Sequence, residues 1–102
     1  MRRQVNVEIY WFTQAEGGRK DPPTGSTYST VAKFDAIKDR WPEEAWSVVI
    51  KFDLLAGSDK INETSGKLRF LSEEAPINLL YPGSKFELFE GKRRVAMGKV
   101  LT

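Results

Sequence analysis

The chain contains no cysteine and no histidine. Disulfides, thiol nucleophiles and the common Cys or His zinc sites are therefore excluded, and so is any catalytic triad that needs an imidazole. The phosphate-loop pattern G-x-x-x-x-G-K-[ST] occurs nowhere, so no backbone cradle for GTP is encoded. Amphipathic helical periodicity is scarce, and no apolar run is long enough to span a membrane. The first residues alternate from Val5 onward where a signal peptide would place an apolar core, which makes the cytoplasm the expected compartment. Charge bias is slight as well. Sixteen Lys and Arg against fourteen Asp and Glu leave a net charge of +2 and a pI near 9.0, which permits nucleic-acid binding without requiring it.

What is present reads as β structure. With 102 residues, 40% of them hydrophobic, the chain suffices for one domain, 1–102, with a core that needs no covalent staples. Val5, Val7, Ile9 and Trp11 alternate with Asn6, Glu8, Tyr10 and Phe12, predicting a strand over Gln4–Thr13. A second strand is expected over Thr27–Ala36. The clearest runs from Trp46 to Leu55, with Trp46, Val48, Ile50, Phe52 and Leu54 on one face. Lys67–Ser72 is a fourth. At the C-terminal end, Lys85–Phe89 and Arg94–Leu101 flank Glu90-Gly91-Lys92-Arg93, a hairpin signature with glycine in the turn. Gly98 inside the last strand suggests a close backbone approach. Pro42 with Glu43 and Glu44 suits the first turn of a short helix, and Ile77–Leu80 reads as a short extended piece. About six short strands separated by turns predict an all-β fold, a small closed antiparallel barrel.

Four features are candidates for function. The basic turn Lys92-Arg93-Arg94 fits a phosphate-facing patch, or equally a solvated hairpin tip whose charges discourage edge pairing. Gly17-Gly18-Arg19-Lys20 fits an anion-binding backbone nest, or a loop that needs glycine for its conformation. The carboxylate pairs Glu43-Glu44 and Glu73-Glu74 are adjacent in sequence and read as solvated, not as an acid–base site. Trp41, between Arg40 and Pro42 in a crossover, is either a loop anchor or an exposed contact for a partner. Trp11 and Trp46 fall on apolar strand faces and belong to the core.

The C-terminal hairpin is where the chain looks like something known. Gly83, Lys85, Phe86, Leu88, Glu90, Gly91, Arg93, Val95, Ala96, Gly98 and Val100 follow a pattern of glycines, charges and alternating apolar residues. An alternating strand, Val7–Phe12, leads into Glu16-Gly17-Gly18-Arg19 and then Pro22, and Pro76-Ile77 precedes the hairpin. In order and spacing this resembles the C-terminal β-barrel domain of elongation factor Tu and related translation GTPases, over nearly the whole chain. The resemblance implies the same small barrel, here standing alone without a GTPase domain. It departs from the family after Arg19. The family's aromatics, Arg and Gln beside the transfer-RNA surface are replaced by Pro23-Thr24-Gly25-Ser26-Thr27-Tyr28, and Lys92 stands where the family is usually small.

Two functional readings follow. In the first the chain is a non-enzymatic binding module, an adaptor, inhibitor or immunity-type protein, with a protein partner and Trp41 as a possible contact. In the second it is an RNA-associated accessory protein linked to transfer RNA or translation, holding phosphates with Arg19, Lys20, Lys92, Arg93 and Arg94. An enzyme is the least expected reading. No cofactor, metal, GTP or membrane contact is expected.

Overall fold

Six strands form the wall of the molecule: β1 (Val5–Trp11), β2 (Thr27–Phe34), β3 (Trp46–Phe52), β4 (Glu63–Phe70), β5 (Lys85–Glu90) and β6 (Arg93–Val100). They are seen in a computed structural model that describes residues 4–19, 25–53 and 62–102. Around the wall the order is β1-β4-β3-β2-β5-β6, all pairs antiparallel, and β6 pairs back onto β1. Closure leaves no strand edge unpaired among the described residues, which removes the usual template for edge-to-edge association.

Alternation dictates what faces inward. Val5, Val7, Ile9 and Trp11 are all buried, as are Val48, Ile50 and Phe52 of β3 and Leu68 and Phe70 of β4. Phe70 and Phe86 pack as tilted rings 5.5 and 5.6 Å from Phe34. One residue breaks the period. The register of β5 against β6 shifts between Leu88 and Phe89, so Val95 and Ala96 are both buried beside Leu88. That β-bulge re-aims Arg94 along the outer surface. The hairpin turn before it holds Gly91 at φ 62°, the left-handed first position that a type II′ turn requires.

The ends of the barrel are closed differently. One end, which we call the base, is plugged by Ala75, Leu79 and Leu80 from the connection between β4 and β5. The other, the tip, is closed by Trp11, whose ring meets Tyr28 edge-on at 5.2 Å and Phe52 at 6.1 Å. Its Nε1 donates to Thr64 Oγ1 at 2.9 Å, which satisfies the one polar atom of that buried ring.

Three local expectations change. The helical piece near Pro42 comes earlier, as a 3-10 turn over Asp35–Arg40, because Pro42 has no N–H with which to continue it. Ile77–Leu79 is a 3-10 turn, not extended, and buries Leu79 into the base. Strand β4 starts at Glu63, four residues before the expected Lys67. Its polar residues Glu63–Ser65 pair with β1, whose register fixes them where local propensity would not. Leu54 and Leu55 of the third expected strand lie outside the described residues.

Candidate interaction surface

The tip gathers the first group of candidate residues. After β1, Thr13 caps a 3-10 turn over Gln14–Glu16, with Glu16 reaching back to the Thr13 N–H at 2.9 Å. The Gly17 N–H donates to the Gln14 carbonyl at 3.1 Å and the Gly18 N–H to the Thr13 carbonyl at 2.9 Å. Both glycine amides are thus taken by the loop's own backbone, which favours the second of the two readings of this stretch, a loop that needs glycine for its conformation.

Arg19 is turned inward by the same loop. Its guanidinium donates to the Glu90 carboxylate, which also accepts the Tyr28 hydroxyl proton. Thr30 Oγ1 donates to the Phe89 carbonyl beside them. This cluster bridges the point where β2 diverges from the β5–β6 hairpin, directly over Trp11. Burial pushes the Tyr28 phenol up, and its hydrogen bond to Glu90 pushes it further, to about 12. Burial would raise the Glu90 carboxyl too. The bonds from Tyr28 and Arg19 and the charges of Arg19 and Arg93 outweigh it and hold Glu90 below the ordinary carboxylate value.

The signs of these shifts give a prediction. A lowered Glu90 contributes stability that is present above the unfolded carboxylate pKa and is lost as pH falls through the folded value. The stability gap between wild type and Glu90→Gln is therefore expected to shrink from neutral pH toward about pH 3, in urea melts across that range. A raised Tyr28 contributes stability that is complete below pH 10 and lost as pH rises toward about 12. Ultraviolet titration should show a phenolate transition near pH 12 in wild type that Tyr28→Phe removes.

The second group lies on the outer wall. Glu87 points outward from β5. Its Oε2 accepts from Arg94 Nη1 at 2.7 Å, and its Oε1 stands 3.9 Å from Lys33 Nζ on β2. Each cation also lies over an aromatic ring: Arg94 over Phe12 at 4.7 Å and Lys33 over Trp41 at 5.8 Å. Trp41 stacks on Phe89, with centroids 4.7 Å apart and planes at 34°. Tyr10 extends the row, edge-on to Phe12 at 5.6 Å. Its hydroxyl donates to Glu16 at 2.9 Å, and that bond raises its pKa. The result is a belt, Tyr10–Phe12–Arg94–Glu87–Lys33–Trp41–Phe89, in which an aromatic pair at each end flanks three charged side chains. None of its side chains is fully buried.

The sequence candidates thus separate. Trp41 is half-buried, its ring stacked on Phe89 with Lys33 over it. Arg94 belongs to the belt. Arg19 belongs to the tip cluster, engaged with a carboxylate. Lys92 and Arg93 are exposed at the hairpin turn. Lys20 lies outside the described residues. Glu44 pairs with Arg40 at 3.1 Å, while Glu43, Glu73 and Glu74 are exposed. Among the described residues no three Asp or Glu side chains converge to hold a metal ion, and no helix is long and apolar enough to cross a membrane. The chain matches no protein-family model and no curated protein.

Phe12, Lys33, Glu87 and Phe89 were not singled out by sequence reasoning. A signal existed for two of them: Glu87 and Phe89 are the outward positions of a strand whose inward positions are apolar. Lys33 and Trp41 join them only through the pairing of β2 with β5, which is non-local.

Proposed function

We propose that this chain is a non-enzymatic protein-binding module of the adaptor or inhibitor kind, and that the belt from Tyr10 to Trp41 is its contact face. The single observation that carries the reading is the composition and order of that face. Trp, Tyr and Arg are the residues that dominate binding energy at protein interfaces, chiefly where their geometry is set before the partner arrives. Here Arg94 is oriented by Glu87 and Phe12, and Trp41 by Phe89 and Lys33. Little side-chain entropy remains to be lost on association. The closed antiparallel barrel agrees with the fold that the resemblance to the elongation factor Tu C-terminal domain implies, and descent from that domain is the origin we propose for it.

The RNA reading has less to stand on. Phosphate contacts need cations free of carboxylates, and Arg19 and Arg94 each hold one. Lys92 and Arg93 at the turn remain its best support. The two readings are separated by capture from native extract with and without ribonuclease, paired with transfer-RNA binding over a salt series. Protein capture that survives ribonuclease is expected, with no transfer-RNA affinity at low salt. Transfer-RNA binding that weakens steeply with salt would replace the protein reading with the RNA one.

A further inference from the structure

Beside the belt, a groove of about 550 Å³ runs across the outer wall, perpendicular to β1, β6 and β5. Its floor is a row of three paired residues, Ile9, Gly98 and Phe86. The side chains of Ile9 and Phe86 are buried, and Gly98 has none, so the trough is backbone between two rows of outward side chains. One wall is Glu63, Tyr10, Met97, Glu87 and Lys33, three of them belt residues. The other is Glu8, Lys99 and Lys85, with Lys38 and Asp35 at its β2 end.

Two features of the second wall point to an occupant. Lys85 and Lys99 are directly opposed across β5 and β6, an unfavourable like-charge pairing. Neither they nor Lys38 makes an ion pair within 4 Å among the described residues, although carboxylates line the same groove. Across from them Met97 is 49% exposed and offers an apolar surface at the centre of the trough. A carboxylate placed between Lys85 and Lys99 would relieve their repulsion through two charge-assisted hydrogen bonds. An apolar side chain one residue along an extended segment would then face Met97, because successive side chains of an extended chain point to opposite sides.

Taking the protein-binding reading as its basis, we infer that the groove holds an extended segment of the partner in which acidic and apolar residues alternate. The acidic residues lie along Lys85, Lys99 and Lys38, and the apolar ones along Met97.

The barrel carries its own control. Lys51 and Lys67 are likewise directly opposed, across β3 and β4, on a part of the wall that lines no part of this groove. The probe is the acetylated, amidated pentapeptide Glu-Leu-Glu-Leu-Glu, titrated by calorimetry at low salt. Wild type is expected to bind it. Lys85→Glu with Lys99→Glu is expected to weaken binding at least about tenfold, while Lys51→Glu with Lys67→Glu changes it less than about twofold. Circular dichroism melts of both double variants establish that each is folded. Equal loss in the two variants, or no binding by wild type, overturns the inference. So does a single-stranded RNA oligonucleotide that binds through Lys85 and Lys99 more tightly than the peptide. Trp41 does not line the groove. If partner capture depends on Trp41 while the peptide is ignored, the groove assignment fails and the protein-binding reading stands.

Discussion

Replacing Gly98 with valine is expected to lower stability by about 3 kcal/mol, a fall in Tm of roughly 10–20 °C for a domain of this size. A Cβ at position 98 would sit 2.5 Å from the Phe86 ring and 3.0 Å from the Glu8 carbonyl oxygen. Neither can retreat cheaply. The ring is buried and held at 5.6 Å by Phe34, and the carbonyl belongs to the strand paired with β6. The strand glycine is therefore a packing device: it opens the interior space that Phe86 fills. Phe86→Leu in the valine background should recover part of the loss. Thermal melts of the single and double variants check both statements, and equal stability of Gly98→Val and wild type would remove this account of β6.

Alanine at Trp41 together with alanine at Arg94 is expected to abolish partner capture while leaving the fold intact. Each truncation is expected to cost about 2 kcal/mol of binding, roughly thirtyfold in affinity, as anchor residues do. Neither side chain belongs to the core, and surface ion pairs such as Arg94–Glu87 contribute only about 0.2–1 kcal/mol to folding. The loss should therefore appear in binding and hardly in melting. Lys92→Ala with Arg93→Ala is the contrasting variant. If the turn were the contact, that pair would lose capture and the Trp41 variants would keep it.

The fold was legible because its signals are local. Strict alternation in β1 and β3 named the inward residues, and Gly91 in a charged turn named the hairpin. What escaped reading was set by pairing between distant segments. Glu63–Ser65 have turn-like composition and become strand only because β1 lies beside them. Arg19 looked like an outward cation, yet Glu90, seventy-one residues away, turns it into part of the tip closure. Arg94 looked like one of three equivalent basic residues. The bulge at Val95 moves it away from Lys92 and Arg93 and onto Glu87 and Phe12. Trp41 was the exception: a large ring in a crossover, with few strand positions to bury it, was readable as a contact or an anchor, and its stacking on Phe89, with Lys33 over the ring, makes it a half-buried anchor.

The three tryptophans offer the most direct test of the central claim that the belt is the contact face. The Trp11 indole N–H donates to Thr64 inside the tip, and the Trp46 ring packs partly buried against the core with its Nε1 buried. Only the Trp41 ring lies on the belt. In nuclear magnetic resonance spectra of isotopically labelled chain, adding the captured partner should shift or broaden the Trp41 indole signal and leave those of Trp11 and Trp46 in place. A bound partner that leaves Trp41 unmoved while the amides of Arg19, Lys92 and Arg93 respond would contradict the account and move the site to the hairpin tip.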